Sequence, residues 1–328
     1  MPLWLKRAAI WGPLFLAAAL AVAYYLIHRP GAPDGSDLLT VALSEQDPSL
    51  AQVGDLVFMG GIDIPRSGID LGGLSGLRWD EAGGHLVALT DDARWAVLDP
   101  VEPDGLLQSV DITASGELTG LSGETLTGKE AGDSEGLTRS REGGWLVSFE
   151  RSHRVWRYPA LDQRPVPTEI DPAAIFGKLG DNQGLETLAG DEDDLLACAE
   201  RQPRGTDANC RRLAAGSAIK PLSLLPPKSL IELGAVPTDG DRASDGTFYV
   251  LFRSYSPTDG NTAAITALAP DGTRRDLAVL RAPLTVDNFE GLAVREEGGK
   301  TFLYIVSDDN FSGSQRTLLM KFAVPGGP

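Results

Sequence analysis

Short apolar runs, not helical stripes, pattern this chain. Five segments repeat one order: a small or acidic residue, often before Gly-Leu, a short strand, a polar turn, and a second strand ending in polar residues. They begin at Ser75, Glu135, Glu186, Asp239 and Glu290, with spacings of 60, 51, 53 and 51 residues. The turns Asp80–Gly84, Arg141–Gly144, Ser244–Gly246 and Glu296–Gly299 supply Gly where hairpins need positive φ. The returning strands are His85–Thr90, Trp145–Phe149, Leu195–Ala199, Phe248–Phe252 and Phe302–Ser307. After residue 30 no long amphipathic helical stripe occurs. Asp171–Leu179, with Pro172 suited to a first turn, is the candidate for one short helix.

A repeat of ~40–50 residues made of four short strands is the signature of a β-propeller. The pattern therefore predicts an all-β fold, a β-propeller over residues 51–325, with six blades and five as the alternative. The sixth blade would lie around Leu106 to Gly128. Closing the ring requires an N-terminal strand, Val53 to Ile64, beside Thr317 to Phe322.

The first residues read as an address. Lys6 and Arg7 precede an apolar run of 20 residues, Ala8 to Ile27, broken only by Gly12 and Pro13. That length spans a hydrocarbon core, and the basic residues keep their end in the cytoplasm. Residues 1–28 are thus a signal anchor or, with Ala21-Val22-Ala23 as the cleavage site, a signal peptide. Residues 29–50 read as a linker. The expected location is the periplasm, with a single N-terminal transmembrane helix in the inner membrane. Export favours a Cys198–Cys210 disulfide over two reduced thiols.

Composition narrows the chemistry. The net charge of −17 argues against nucleic acid as a partner. Two cysteines and three histidines exclude a thiolate cluster and a His-rich metal site. Within each repeat the two strands are antiparallel, so the start of one and the end of the other share a face. Ser75, Glu135, Glu186, Asp239 and Glu290 would ring one mouth of the channel, with Asp91, Asp92, Glu150, Asp308 and Asp309 around them. Converging acids need protons, arginines or a cation. A divalent cation, calcium by its liking for oxygen ligands, would sit on Glu135, Glu186, Asp239 and Glu290. The competing reading pairs these acids with Arg151, Arg201 and Arg253. Gly132–Gly136 matches G-x-S-x-G, but a strand follows it, which makes Ser134 a turn residue. His153, beside the acidic face, is a better candidate base than His85 on the opposite one.

The strings GGLSGLRWDEAGGHLVALTDD, DSEGLTRSREGGWLVSFERSHRVWRY, DNQGLETLAGDEDDLLACAER and DNFEGLAVREEGGKTFLYIVSDDNFSGSQRTLLMKF closely resemble the phytase-like family, "esterase-like activity of phytase", over roughly residues 55 to 323. That resemblance implies an exported bacterial β-propeller, and the family's name implies hydrolysis. More distantly the chain is similar to gluconolactonase and regucalcin-like propellers. This likeness implies a divalent cation held at inner-strand starts, the places of Glu135, Glu186, Asp239 and Glu290. Ser75 departs from the acidic pattern. Two functions follow. The first is metal-assisted hydrolysis of an ester, lactone or phosphoester, with Glu135 or Glu290 as base and Arg151, Arg201 and Arg253 holding an anionic group. The second is a membrane-anchored, non-catalytic propeller that binds a ligand or protein partner.

Overall fold

The computed structural model describes residues 39–65, 71–181, 183–199 and 209–326. The predicted N-terminal helix and Arg201 lie outside these residues. Strands β1 (Leu39–Thr40), β2 (Gln52–Val53) and β3 (Leu56–Asp63) come first. Four four-stranded antiparallel sheets follow. Blade 1 is β4 (Leu74–Asp80), β5 (His85–Thr90), β6 (Arg94–Val101) and β7 (Ser109–Glu117). Blade 2 is β8 (Ser134–Arg139), β9 (Trp145–Phe149), β10 (Arg154–Tyr158) and β11 (Val166–Pro167). Blade 3 is β12 (Leu185–Asp191), β13 (Asp194–Ala199), β14 (Asn209–Ala214) and β15 (Lys220–Ser223). Blade 4 is β16 (Val236–Arg242), β17 (Phe248–Ser256), β18 (Gly260–Leu268) and β19 (Arg274–Leu280).

Blade 5 combines both ends of the chain. Its strands β20 (Phe289–Glu297), β21 (Lys300–Ser307) and β22 (Leu318–Val324) are completed by β3. Leu318 pairs with Asp63 and Ala323 with Val57, the expected closure. β1 and β2 add to β3, so the same sheet takes in residues from 39 onward. Leu43, inside the expected linker, is fully buried in the core between blades 4 and 5.

The propeller therefore has five blades, not six. Residues Ser109–Glu117, assigned to a sixth blade, are the outer strand of blade 1. The chain from there to blade 2 is a connection carrying a short helix, α1 (Gly128–Gly132). Leu118 and Leu126 of this connection pack into the core between blades 1 and 2. This extra packing lengthens the first repeat without adding strands. The predicted short helix forms as α2 (Pro172–Phe176), with Asp171 accepting the Ala173 amide at 2.9 Å.

Each of the five core clusters lies between two consecutive blades. A strand's alternate side chains point to opposite faces, and here both faces are covered. In β17, Phe248, Val250 and Phe252 face blade 3, while Tyr249 and Leu251 face blade 5. The middle strands are consequently apolar at nearly every position. Cys198 and Cys210 lie directly opposite each other on β13 and β14 and are joined as a disulfide.

Candidate acidic site at the channel mouth

The inner strands β4, β8, β12, β16 and β20 run in one direction around the axis and touch in a closed ring. Their Gly residues are a condition of that closeness. A Cβ on Gly291 would stand 2.9 Å from the Leu77 Cβ, and one on Gly136 would stand 3.1 Å from the Leu185 carbonyl oxygen. Each inner strand also shifts register at its start, between Leu74 and Gly76, Ser134 and Leu137, Leu185 and Thr187, Pro237 and Asp239, and Phe289 and Gly291. Bulges of this kind re-aim side chains. The residues set apart are Ser75, Glu135 with Gly136, Glu186, Thr238 and Glu290.

This register corrects one predicted ligand. Asp239-Gly240 imitates the Glu-Gly of the other repeats, but the equivalent residue of blade 4 is Thr238. Asp239 is fully buried one position deeper. It accepts two hydrogen bonds from Arg78, at 2.8 and 2.9 Å, and the Leu292 amide at 2.7 Å. Burial pushes its carboxyl up to about 6, against the pull of Arg78 and the Leu292 and Gly240 amides. Paired with Arg78, it belongs to the axis, not the mouth.

The other predicted residues largely meet. Asp91, Glu135, Glu150, Glu186, Glu290 and Asp308 line one cavity of about 190 Å³ with Ser75 and Arg253. The inner strands deliver Ser75, Glu135, Glu186 and Glu290. The ends of the returning strands deliver Glu150, Arg253 and Asp308, as antiparallel pairing requires. Arg253 Nε lies 2.8 Å from Glu290 Oε1. Arg151 does not line the cavity but holds its edge, with its Nε 2.9 Å from Asp133 Oδ2. His153 is not part of the lining; its Nε2 is 2.9 Å from the Gly180 carbonyl oxygen. Ser134 is fully buried, donates to the Thr90 carbonyl at 2.6 Å and accepts the Ala93 amide, so it is structural. His85 sits at the far end of blade 1, 3.5 Å from Asp80.

Two residues of the site were not singled out from the sequence, Asp133 and Lys129. Lys129 Nζ donates to Asp91 Oδ2 at 2.6 Å and to Asp133 Oδ1 at 2.8 Å. Burial opposes the Lys129 charge, but these hydrogen bonds outweigh it and raise its pKa. The available signal was the Asp-x-Glu spacing of Asp133 and Glu135, which places both at the start of β8. Carboxylate oxygens of Asp133, Glu135 and Glu150 lie within 4.8 Å of one another. Burial, then the carboxylates of Glu186, Glu150, Asp133 and Asp91, holds the Glu135 carboxyl well above its ordinary range. Burial likewise pushes Asp308 up to about 6, with the Asn310 amide opposing and Asp91 and Asp309 adding to the rise.

A profile of the phytase-like family, described as "Esterase-like activity of phytase", matches residues 69–311. The chain belongs to this family. The matched span runs from the approach to β4 to the loop after β21, so it includes all six acids of the cavity. No curated protein matches the chain. Among solved structures it is similar to the catalytic domain of the Coprinopsis cinerea GH62 alpha-L-arabinofuranosidase, with a TM-score of 0.44, 11% identity and coverage of 84% of this chain and 98% of that one. It is also similar to a Trichoderma reesei protein of carbohydrate-active enzymes family AA12, at 0.45 and 12%, covering 83% and 98%. An endo-arabinase from Bacteroides thetaiotaomicron gives 0.43 and 12%, covering 79% and 95%. Likeness at this level bears on neither substrate nor reaction.

Proposed function

We propose that this phytase-like propeller is a hydrolase of a small ester, lactone or phosphoester, working at the acidic mouth with a divalent cation. The observation that carries this reading is the meeting of Asp133, Glu135 and Glu150 within 4.8 Å. Donor chemistry fits the group. Every acidic side chain there offers hard oxygen, which suits calcium or magnesium better than a thiophilic metal. Such an ion supplies a polarised carbonyl or phosphoryl oxygen and a more acidic bound water.

The chain's own residues divide the remaining work. Glu135, which lines the cavity within 4.8 Å of the Asp133 and Glu150 carboxylates, is placed to accept a proton from water. Glu290 is engaged with Arg253, so it positions that guanidinium and is not assigned as the base. Arg253 faces the cavity and offers donors to an anionic oxygen of the substrate. A cavity of about 190 Å³ accepts the reacting group, and the remainder of a larger substrate would lie outside it. We also propose export and anchoring through residues 1–28. The Cys198–Cys210 bond supports an oxidising compartment.

The test is calorimetric titration of the EDTA-treated protein with Ca²⁺, Mg²⁺, Mn²⁺ and Zn²⁺, followed by assays on an ester, lactone and phosphoester panel. One-to-one binding lost in Glu135→Gln, with hydrolysis lost alongside it, supports the proposal. A folded protein that binds no ion and is inert to the panel leaves the non-catalytic binding propeller.

A further inference from the structure

The other mouth of the channel is also hollow. There the inner strands end, and a cavity of about 310 Å³ opens among three arginines, Arg78, Arg139 and Arg242, and four acids, Glu81, Asp191, Asp241 and Glu296, with Ser244 on its rim. This volume is at the lower end of small-molecule sites, which run ~300–1,000 Å³. The Arg78–Asp239 pair stands between the two cavities along the axis.

Hydrogen bonding in this cup is uneven. Its acids are largely served by main-chain amides. Asp241 accepts the Val294 and Arg242 amides at 2.8 Å each. Glu296 accepts the Ser244 amide at 2.7 Å, and Asp191 accepts the Asp193 amide at 2.9 Å. The guanidinium groups are served less. Among the described residues, the Arg242 side chain makes no hydrogen bond. Its nearest acidic oxygens are Asp194 Oδ2 at 3.6 Å and Asp191 Oδ1 at 4.0 Å. Arg139 uses only Nη2, on the Trp79 carbonyl and Asp80. At the floor, the Arg78 side chain is 1% exposed; its Nε lacks a hydrogen-bond partner and lies 3.8 Å from Asp241 Oδ1. Gly190 gives the wall bare backbone, since a Cβ there would collide with the Asp194 carbonyl oxygen.

Guanidinium N–H groups that no acceptor of the described residues meets suit an acceptor-rich partner. Their planar fork matches the oxygens of a carboxylate or phosphate. We infer that this cup is a second ligand site, separate from the acidic mouth, that takes a small oxyanion between Arg242 and Arg139. The anion supplies acceptors to donors that the chain leaves unused, and Ser244, exposed on the rim, adds a hydroxyl. The inference does not rest on the proposed hydrolysis.

The test titrates the full chain with inorganic phosphate and, separately, with malonate, in wild type and in Arg242→Gln, Ser244→Glu and Glu135→Gln. One-to-one binding of either probe is expected, weakened about tenfold or more in Arg242→Gln and in Ser244→Glu, and unchanged in Glu135→Gln. The probe bound more tightly identifies the anion as phosphate or carboxylate. The melting temperature of each variant, read beside its binding, separates lost binding from lost folding. Binding of neither probe by wild type overturns the inference. Binding that persists in both cup variants also overturns it.

Discussion

Arg78 and Asp239 clasp each other at the axis through two hydrogen bonds, 2.8 and 2.9 Å long. The clasp ties four blades. Arg78 also donates to the carbonyls of Leu188 in blade 3 and Leu292 in blade 5. Both side chains are essentially inaccessible, so removing one leaves a buried charge uncompensated. Asp239→Asn should cost about 3–5 kcal/mol in denaturant unfolding. The double variant Arg78→Met/Asp239→Leu should recover much of that loss. Cation affinity in surviving folded Asp239→Asn protein should equal wild type, because Asp239 is not at the mouth.

Glu135 is the carboxyl most crowded by others. Neutralising it removes repulsion from Glu186, Glu150, Asp133 and Asp91. Glu135→Gln should therefore raise the melting temperature of the EDTA-treated protein, by about 1 kcal/mol of added stability. The same variant should lose the stabilisation that Ca²⁺ gives wild type. Lower stability in EDTA would show that Glu135 is held by favourable contacts instead.

Asp308 gives the cation-free protein an unusual pH dependence. Its folded-state pKa of about 6 is above the unfolded value of ~3.9. The folded state then binds the proton more tightly. The resulting stability is full below the unfolded pKa and is lost as pH rises through about 6. The loss should amount to ~2–3 kcal/mol between pH 4 and 7 from this group. Urea unfolding across that range, in wild type and Asp308→Asn, measures it. The variant should show the shallower slope.

Glu102 closes the ring from the outside. Its Oε2 accepts Lys321 Nζ and Arg295 Nη1, each at 2.8 Å, and its Oε1 accepts the Tyr304 hydroxyl at 2.7 Å. Lys321 is 1% exposed on β22, the strand that pairs with β3 to complete blade 5. Glu102→Ala strands this lysine and should cost about 3–5 kcal/mol. Equilibrium unfolding measures the cost. A change under about 1 kcal/mol would mean that the Gly105 carbonyl suffices for Lys321.

By itself the sequence determined the repeat, the strands and turns, and which ends of the strands carry acids. Those properties are local: two-residue alternation, Gly at hairpins, and the polarity where a strand leaves the core. Antiparallel pairing then fixed that Glu135 and Glu150 share a face, as do Glu290 and Arg253. Three matters were decided only in three dimensions. Blade number depended on whether residues 106–128 pair as a new sheet or extend an existing one, and pairing partners are not written in strand residues. The ring position in blade 4 depended on a one-residue bulge, which moved the role from Asp239 to Thr238 because one step along a strand reverses the side chain. Which acids are met by Lys129, Arg151 and Arg253 and which crowd one another, with Asp133 doing both, depended on side-chain reach across blades. Residues far apart in the chain become neighbours only when the ring closes.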